Sequence, residues 1–286
     1  DRRTQRRHQE KLLKHWIAGL RPLLFPEADS FSLDFHPIPY RGEEAVLEQH
    51  FQPRRGRAGP SVQTFFAQER TSQVLCYANA NLTRDKQDDA VWEFARFWRG
   101  LTGRYPQWLY FDSKLTSYKK LTQLTKKDIW FVTIRRRGSS VLRRLDSLPK
   151  GDWQTAVIDI PRRRHQRIRY IDERVRLSGY EGEMRQVAVC DLGRKQPTLF
   201  LSNNFEVSPR ELVMNYARRN GIEDALGTGV NFFHLDCLSS EVRLNVDLDT
   251  VLTVIANAVR WAAPAGGKMA FGAPNKPMGW FEKEAH

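Results

Sequence analysis

Short apolar runs alternate along this chain with segments of helical periodicity, and that alternation restricts the fold more than any other feature. FSLDF (31–35), QWLYFD (107–112) and IWFVTIRR (129–136) each read as a buried strand. VQTFFAQE and VLCYANAN, parted by Arg70-Thr71-Ser72, read as two more, after a basic Gly/Pro-rich loop at 54–60. From Asp85 to Leu101, Val91, Trp92, Phe94, Ala95, Phe97 and Trp98 form a broad apolar helical face. The acids Asp85, Asp88 and Asp89 precede that face, where the helix dipole favours negative charge. With a short helix at 117–127, the first half reads strand, strand, strand, helix, strand, helix, strand. The pattern is α/β.

The remainder changes character twice. TAVIDI, RIRYI, RQVAVCDL and PTLFLS make residues 138–207 a β-rich stretch in which no helix is predicted. Helical spacing returns from Pro209 to Leu226, with Ser208 placed as N-cap and Pro209 in the first turn. A last helix is predicted from Val246 to Ala263, and a first one at 9–20, stopped by Pro22.

Charge narrows the partners. Among 286 residues, 46 Lys and Arg outweigh 33 Asp and Glu, for a formal net charge of +13. Arginines dominate the clusters: Arg2, Arg3, Arg6 and Arg7; Arg54, Arg55 and Arg57; Arg135 to Arg137; Arg162, Arg163, Arg164, Arg167 and Arg169. One cluster alone is ordinary solvated surface, but several along one chain point to nucleic acid, because the planar guanidinium fork suits phosphate. Three scattered cysteines, with no Cys-x-x-Cys pair, fit neither a disulfide framework nor a structural zinc site and point to a reducing cytoplasm. No apolar stretch approaches the roughly 18 residues of a membrane span. The sequon at Asn81 reads as chance, and a chain starting at Asp1 is expected to lie within a longer protein.

Three carboxylates carry the candidate chemistry. Asp34 and Asp112 each end an apolar run, and either one alone would as readily be a turn or capping acid. On neighbouring strands, both would project into the crevice beyond the strand ends, where a divalent cation would relieve their repulsion. Tyr216, Arg219 and Glu223 are spaced i, i+3 and i+7, one face of one predicted helix. Leu212, Val213, Ala217, Ile222 and Leu226 oblige that helix to dock on a core, which would carry Glu223 over the sheet. Three such acids suit two divalent ions about 3.5–4 Å apart, an arrangement used for phosphodiester cleavage.

At these residues the chain resembles the catalytic domain of the DDE superfamily of bacterial insertion-sequence transposases, in the group with a Tyr-(2)-Arg-(3)-Glu-(6)-Lys signature. Tyr216, Arg219 and Glu223 match its first three positions, while LDFHPIPYRG around Asp34 and LYFDSKLTS around Asp112 resemble the first two acidic motifs. FFHLDCLSS and LDTVLTVIANAV resemble the continuation, so the resemblance covers roughly residues 28–262. The fourth position departs: Val230 stands where the signature has Lys, which would weaken the hold on DNA ends.

The resemblance implies an α/β fold, a ribonuclease H-like mixed sheet with flanking helices, interrupted by a β-rich insertion. Its divisions here would be a basic helical remnant (1–27), two core parts (28–137 and 208–263) around the insertion (138–207), and a loosely ordered tail (264–286). It also implies DNA strand cleavage and strand transfer by two Mg²⁺ ions, or Mn²⁺, held by Asp34, Asp112 and Glu223. Tyr216 and Arg219 would hold phosphates, with Arg54, Arg55, Arg57, Arg162, Arg163 and Arg164 as further DNA contacts. Partners would be double-stranded terminal repeats and target DNA, bound by a homodimer in the bacterial cytoplasm at the nucleoid, with no membrane. The competing expectation is a transposase-derived DNA-binding protein without catalytic activity.

Other signals are weaker. Gly266-Gly267-Lys268 is no phosphate-binding loop, since Ala262 and Met269 stand at its required positions. His234, Asp236 and Cys237 read as packing or turn chemistry, His36 as a local hydrogen-bonding residue, and Trp153 as a core residue rather than a base-stacking one.

Overall fold

In the computed structural model, residues 2–40, 48–52, 56–114, 116–160, 166–193, 195–236 and 243–262 are described. Arg54, Arg55, Arg162, Arg163, Arg164, Cys237 and the tail 264–286 lie outside them.

Helix α1 (Arg2–Leu24) precedes strands β1 (Ser30–Pro39), β2 (Gln49–Gln52), β3 (Arg57–Glu69) and β4 (Leu75–Leu82). Then come α2 (Ala90–Thr102), β5 (Trp108–Phe111), α3 (Tyr118–Thr125), β6 (Trp130–Ile134) and α4 (Ser139–Asp146). Strands β7 (Gln154–Val157), β8 (Arg167–Val175), β9 (Met184–Cys190) and β10 (Thr198–Ser202) lead to α5 (Pro209–Ala217), α6 (Asn220–Phe232) and α7 (Arg243–Ala262). The ten strands form one sheet in the order β2-β3-β1-β5-β6-β10-β9-β8-β7, with β4 also on β3. Strands β1, β5 and β6 run parallel at its centre, and the other pairings are antiparallel. This mixed sheet with flanking helices is the expected α/β, ribonuclease H-like class. The β-rich stretch after residue 138 extends it, because β10 pairs with β6.

Side-chain alternation sorts the core onto two faces. Phe31, Leu33, Leu109, Phe111 and Phe131 share one face with α2 and α3. There the Phe31 ring meets Trp98 at 4.5 Å and Phe94 at 5.1 Å, both edge-on and all three rings fully buried. Tyr110, Val132, Val187 and Phe200 take the opposite face, covered by Leu212 and Val213 of α5. Each apolar side chain so buried is worth roughly 1.5–3 kcal/mol, which fixes the strand register against a one-residue slip.

Four local expectations are corrected. Pro22 lies inside α1 rather than beyond it; in the last turn its missing N–H forfeits one bond, and Phe25 still donates to the Arg21 carbonyl. The acids Asp85, Asp88 and Asp89 occupy a 3₁₀ turn before α2 rather than its first turn. The stretch 138–207 contains a helix, α4, whose apolar residues Val141 and Leu145, with Leu148 just beyond its end, pack under β9 and β10. Finally, the helix expected over 209–226 is two helices, with a bend at Arg218 and Arg219.

Trp153 is partly buried against Leu145, Ala188 and Leu199, a packing role as expected. His234 is exposed, in a left-handed turn conformation.

Candidate active site

Strand β1 runs five residues past Asp34 because β3 continues to pair with it, so Asp34 is mid-strand rather than at a strand end. Its parallel partner is shorter. Leu33 pairs with Phe111, the last residue of β5, so Asp34 and Asp112 stand side by side one position further on. Alternation from Leu33 and Phe111 turns both carboxylates to the face that α5 covers. Each is braced by the next residue: Phe35 N–H donates to Asp34 Oδ1 (2.9 Å), and Ser113 N–H to Asp112 Oδ1 (2.6 Å).

Helix α5 begins with a reciprocal capping box, in which the Ser208 hydroxyl accepts from the Glu211 N–H and the Glu211 carboxylate accepts from the Ser208 N–H. At its other end Tyr216 packs edge-on against Phe200 at 5.3 Å. The bend then turns Arg219 inward, 3% exposed, and puts Glu223 in the first turn of α6. The guanidinium lies between two of the acids: Nη1 is 3.3 Å from Asp34 Oδ2, and Nη2 donates to Glu223 Oε1 at 2.8 Å. Arg219 Nε and Nη1 are buried without a hydrogen bond. Tyr216, Arg219 and Glu223 thus converge on Asp34 from two helices, not from one helical face.

Burial dominates the electrostatics. It raises the Asp34 pKa, opposed by the Arg219 cation and the Phe35 N–H and reinforced by the neighbouring charge of Asp112. Glu223 is pushed up to about 7 by burial, against the pull of Arg219. Burial also raises the Tyr216 hydroxyl, keeping it protonated. Burial alone would lower the Arg219 pKa, but the fields of Asp34, Tyr216, Glu223 and Asp112 raise it, so it stays a cation.

Among the described residues, no three His, Cys, Asp or Glu side chains are already gathered as a metal cluster, since Arg219 takes the place between Asp34 and Glu223. The donor set nevertheless fits a hard divalent cation: carboxylate oxygens, those of Asp34 and Glu223 destabilised as anions by burial, beside a cation that lacks full hydrogen bonding. Asp34, Asp112 and Glu223 are the residues that would hold it.

Two expectations on DNA contacts change. Arg219 faces the acids and not solvent, so in this arrangement it is not placed to hold a phosphate. Val230, at the departing fourth position, is 8% exposed and belongs to the same core cluster as Ile222 and Leu226, so that position is turned into the core and not toward solvent. Arg57 is exposed where β3 pairs with β2.

A positioning network escaped the sequence. Arg70 stacks on Tyr110 at 3.7 Å and donates to the Asn215 carbonyl at 2.5 Å, holding the end of α5 to the sheet. Gln68 donates to the Gly221 carbonyl (3.1 Å) and the Gln73 carbonyl (2.8 Å), holding α6. A Cβ at Gly221 would sit 2.0 Å from Gln73 Oε1, so any larger residue there obliges the Gln73 side chain to move. These partners lie 145 and 153 residues apart, and no local pattern announces them.

No protein-family model matches this chain, and no curated protein matches its sequence.

Proposed function

We propose that this chain is a metal-dependent DNA transposase that cleaves and joins strands at insertion-sequence ends. The observation that carries the reading is the convergence of Asp34, Asp112 and the Arg219–Glu223 pair at the end of the parallel β1–β5 pairing. Two Mg²⁺ ions, or Mn²⁺, held by the three acids would supply activation of a water or a DNA 3′-hydroxyl and stabilisation of the leaving oxygen.

The chain's own residues set the stage for that chemistry. The N–H groups of Phe35 and Ser113 fix one oxygen of each aspartate and leave the other for a cation. Arg219 offsets the negative charge of Asp34 and Glu223 while no other cation is present, so burial of the acids is tolerated. Its withdrawal toward a DNA phosphate frees both carboxylates, which makes the charged backbone itself the trigger for assembling the site. The same reading gives the chain double-stranded DNA as partner, a homodimeric state on it, and the bacterial cytoplasm as its place. Among the described residues, no helix is long and apolar enough to cross a membrane.

Nicking of supercoiled plasmid tests this against the non-catalytic DNA-binding reading. The expected result is Mg²⁺-dependent nicking, abolished by EDTA and by Asp34→Asn, Asp112→Asn or Glu223→Gln in proteins that remain folded. Tight DNA binding with no metal-dependent nicking would establish the non-catalytic reading instead.

A further inference from the structure

The opposite face of the sheet, at the same strand ends, holds a second recess with several polar lining residues. Beyond β5 and β6, a cleft of about 320 Å³ is lined by Ser113, Lys114, Ser117, Thr133, Arg136 and Asp88, among others. Thr133 follows Val132 in β6 and so shares the α3 face with Phe131. It is 3% exposed, and its hydroxyl is buried without a hydrogen-bond partner, a state that costs free energy unless a ligand satisfies it. Helix α3 begins at this cleft. Its N-cap, Ser117, makes no side-chain capping bond, and no acid occupies its first turn. Those first N–H groups form a site of positive potential. Lys114 and Arg136 are exposed, and neither pairs with a carboxylate among the described residues. Asp88 is the single lining acid against these two cations.

We propose that this cleft binds a phosphate of the DNA backbone next to the one at the acids. The Thr133 hydroxyl and the α3 N-terminus would donate to its oxygens, and Lys114 and Arg136 would neutralise it. The inference rests on the DNA reading above for its ligand, and on Thr133 and α3 for its place. Ser113 links the two sites: it lines the cleft while its N–H braces Asp112. A strand crossing these strand ends would therefore be gripped on both faces of the sheet.

The test uses the full chain, with inorganic phosphate and a DNA duplex as probes. Thr133→Val keeps the shape and removes the orphan hydroxyl, so the unliganded variant should melt no lower than the wild type. In the wild type, phosphate should shift the NMR signals of the Ser117 and Tyr118 amides and the Thr133 methyl. In Thr133→Val, affinity for phosphate and duplex should each fall about tenfold, the worth of one hydrogen bond to a charged group. Lys114→Ala with Arg136→Ala should lower the slope of log K against log salt by about two. Absence of phosphate-induced shifts at α3, or unchanged duplex affinity and salt slope in both variants, overturns the cleft. Phosphate binding at the cleft by a protein that neither binds nor nicks DNA overturns the DNA ligand and the transposase reading, and leaves an anion site for another phosphoester.

Discussion

Replacing Arg219 with Met removes the cation placed between Asp34 and Glu223 while keeping most of the side chain's volume. Breaking a buried ion pair from one side ordinarily costs about 3–5 kcal/mol, because a charge is left uncompensated. Here the loss is limited, since both acids can take up a proton. Glu223 is already at about 7, so at neutral pH it accepts one at little further cost. Holding Asp34 neutral at pH 7 against an ordinary value of 3.8 costs at most about 4 kcal/mol, at about 1.4 kcal/mol per pH unit. The wild type already bears part of that, since the Asp34 pKa is raised, and the variant no longer desolvates a guanidinium. The expected destabilisation is therefore about 2 kcal/mol at pH 7 without divalent ions. The sign with pH follows from the raised carboxyls: their folded pKa exceeds the unfolded one, so stability present at low pH is lost as pH rises through the folded value. As pH falls toward 4, protonation removes the negative charges that Arg219 balances, and the gap between variant and wild type should narrow. Urea denaturation in EDTA at pH 4, 5.5 and 7 measures the difference. An equal loss at pH 4 and pH 7 would show that Arg219 contributes by packing, and the counter-cation argument would fail.

Val230→Lys should cost roughly 2–3 kcal/mol, because the ammonium replaces a side chain packed against Ile222 and Leu226, and should give no gain in duplex affinity. Wild-type melting with tighter DNA binding would show instead that position 230 reaches the DNA. Arg185→Ala should cost about 3 kcal/mol in urea titrations. That side chain is 5% exposed, bonds Asp172 twice (2.9 and 2.6 Å) and donates to the Asn204 and Val207 carbonyls, tying the approach to α5 onto β8 and β9. A loss under 0.5 kcal/mol, the scale of an ordinary surface change, would refute that role. Gly221→Ala should cost about 1 kcal/mol, since Gln73 must leave its bond to the Arg70 carbonyl, and the cost should vanish in a Gln73→Ala background. Additive effects of the two changes would refute the close approach.

The sequence by itself determined the elements whose signals are local. The apolar runs at β1, β5 and β6 and the face of α2 follow from backbone periodicity and burial, which neighbouring residues encode directly. The N-cap Ser208 and the first-turn Pro209 marked the start of α5 for the same reason. The spacing of Tyr216, Arg219 and Glu223 picked out residues that the fold brings together near Asp34, but helical periodicity cannot register a bend, and it placed them on one continuous face. Helix α4, within the β-rich stretch, was missed because its Arg-rich exposed side hides an apolar stripe that β9 and β10 complete.

Tertiary structure alone decided how the site is assembled. That Asp34 and Asp112 are neighbours depends on β1 and β5 pairing in parallel across some 70 residues of intervening chain. Long-range pairing of this kind is selected by total burial, not by any local preference. The inward turn of Arg219, the Gly221 contact with Gln73, the burial of Val230 and the orphan hydroxyl of Thr133 likewise arise where separate elements meet. Residue types can be read along the chain, but the field and the packing each one meets are set by parts of the chain far from it in sequence.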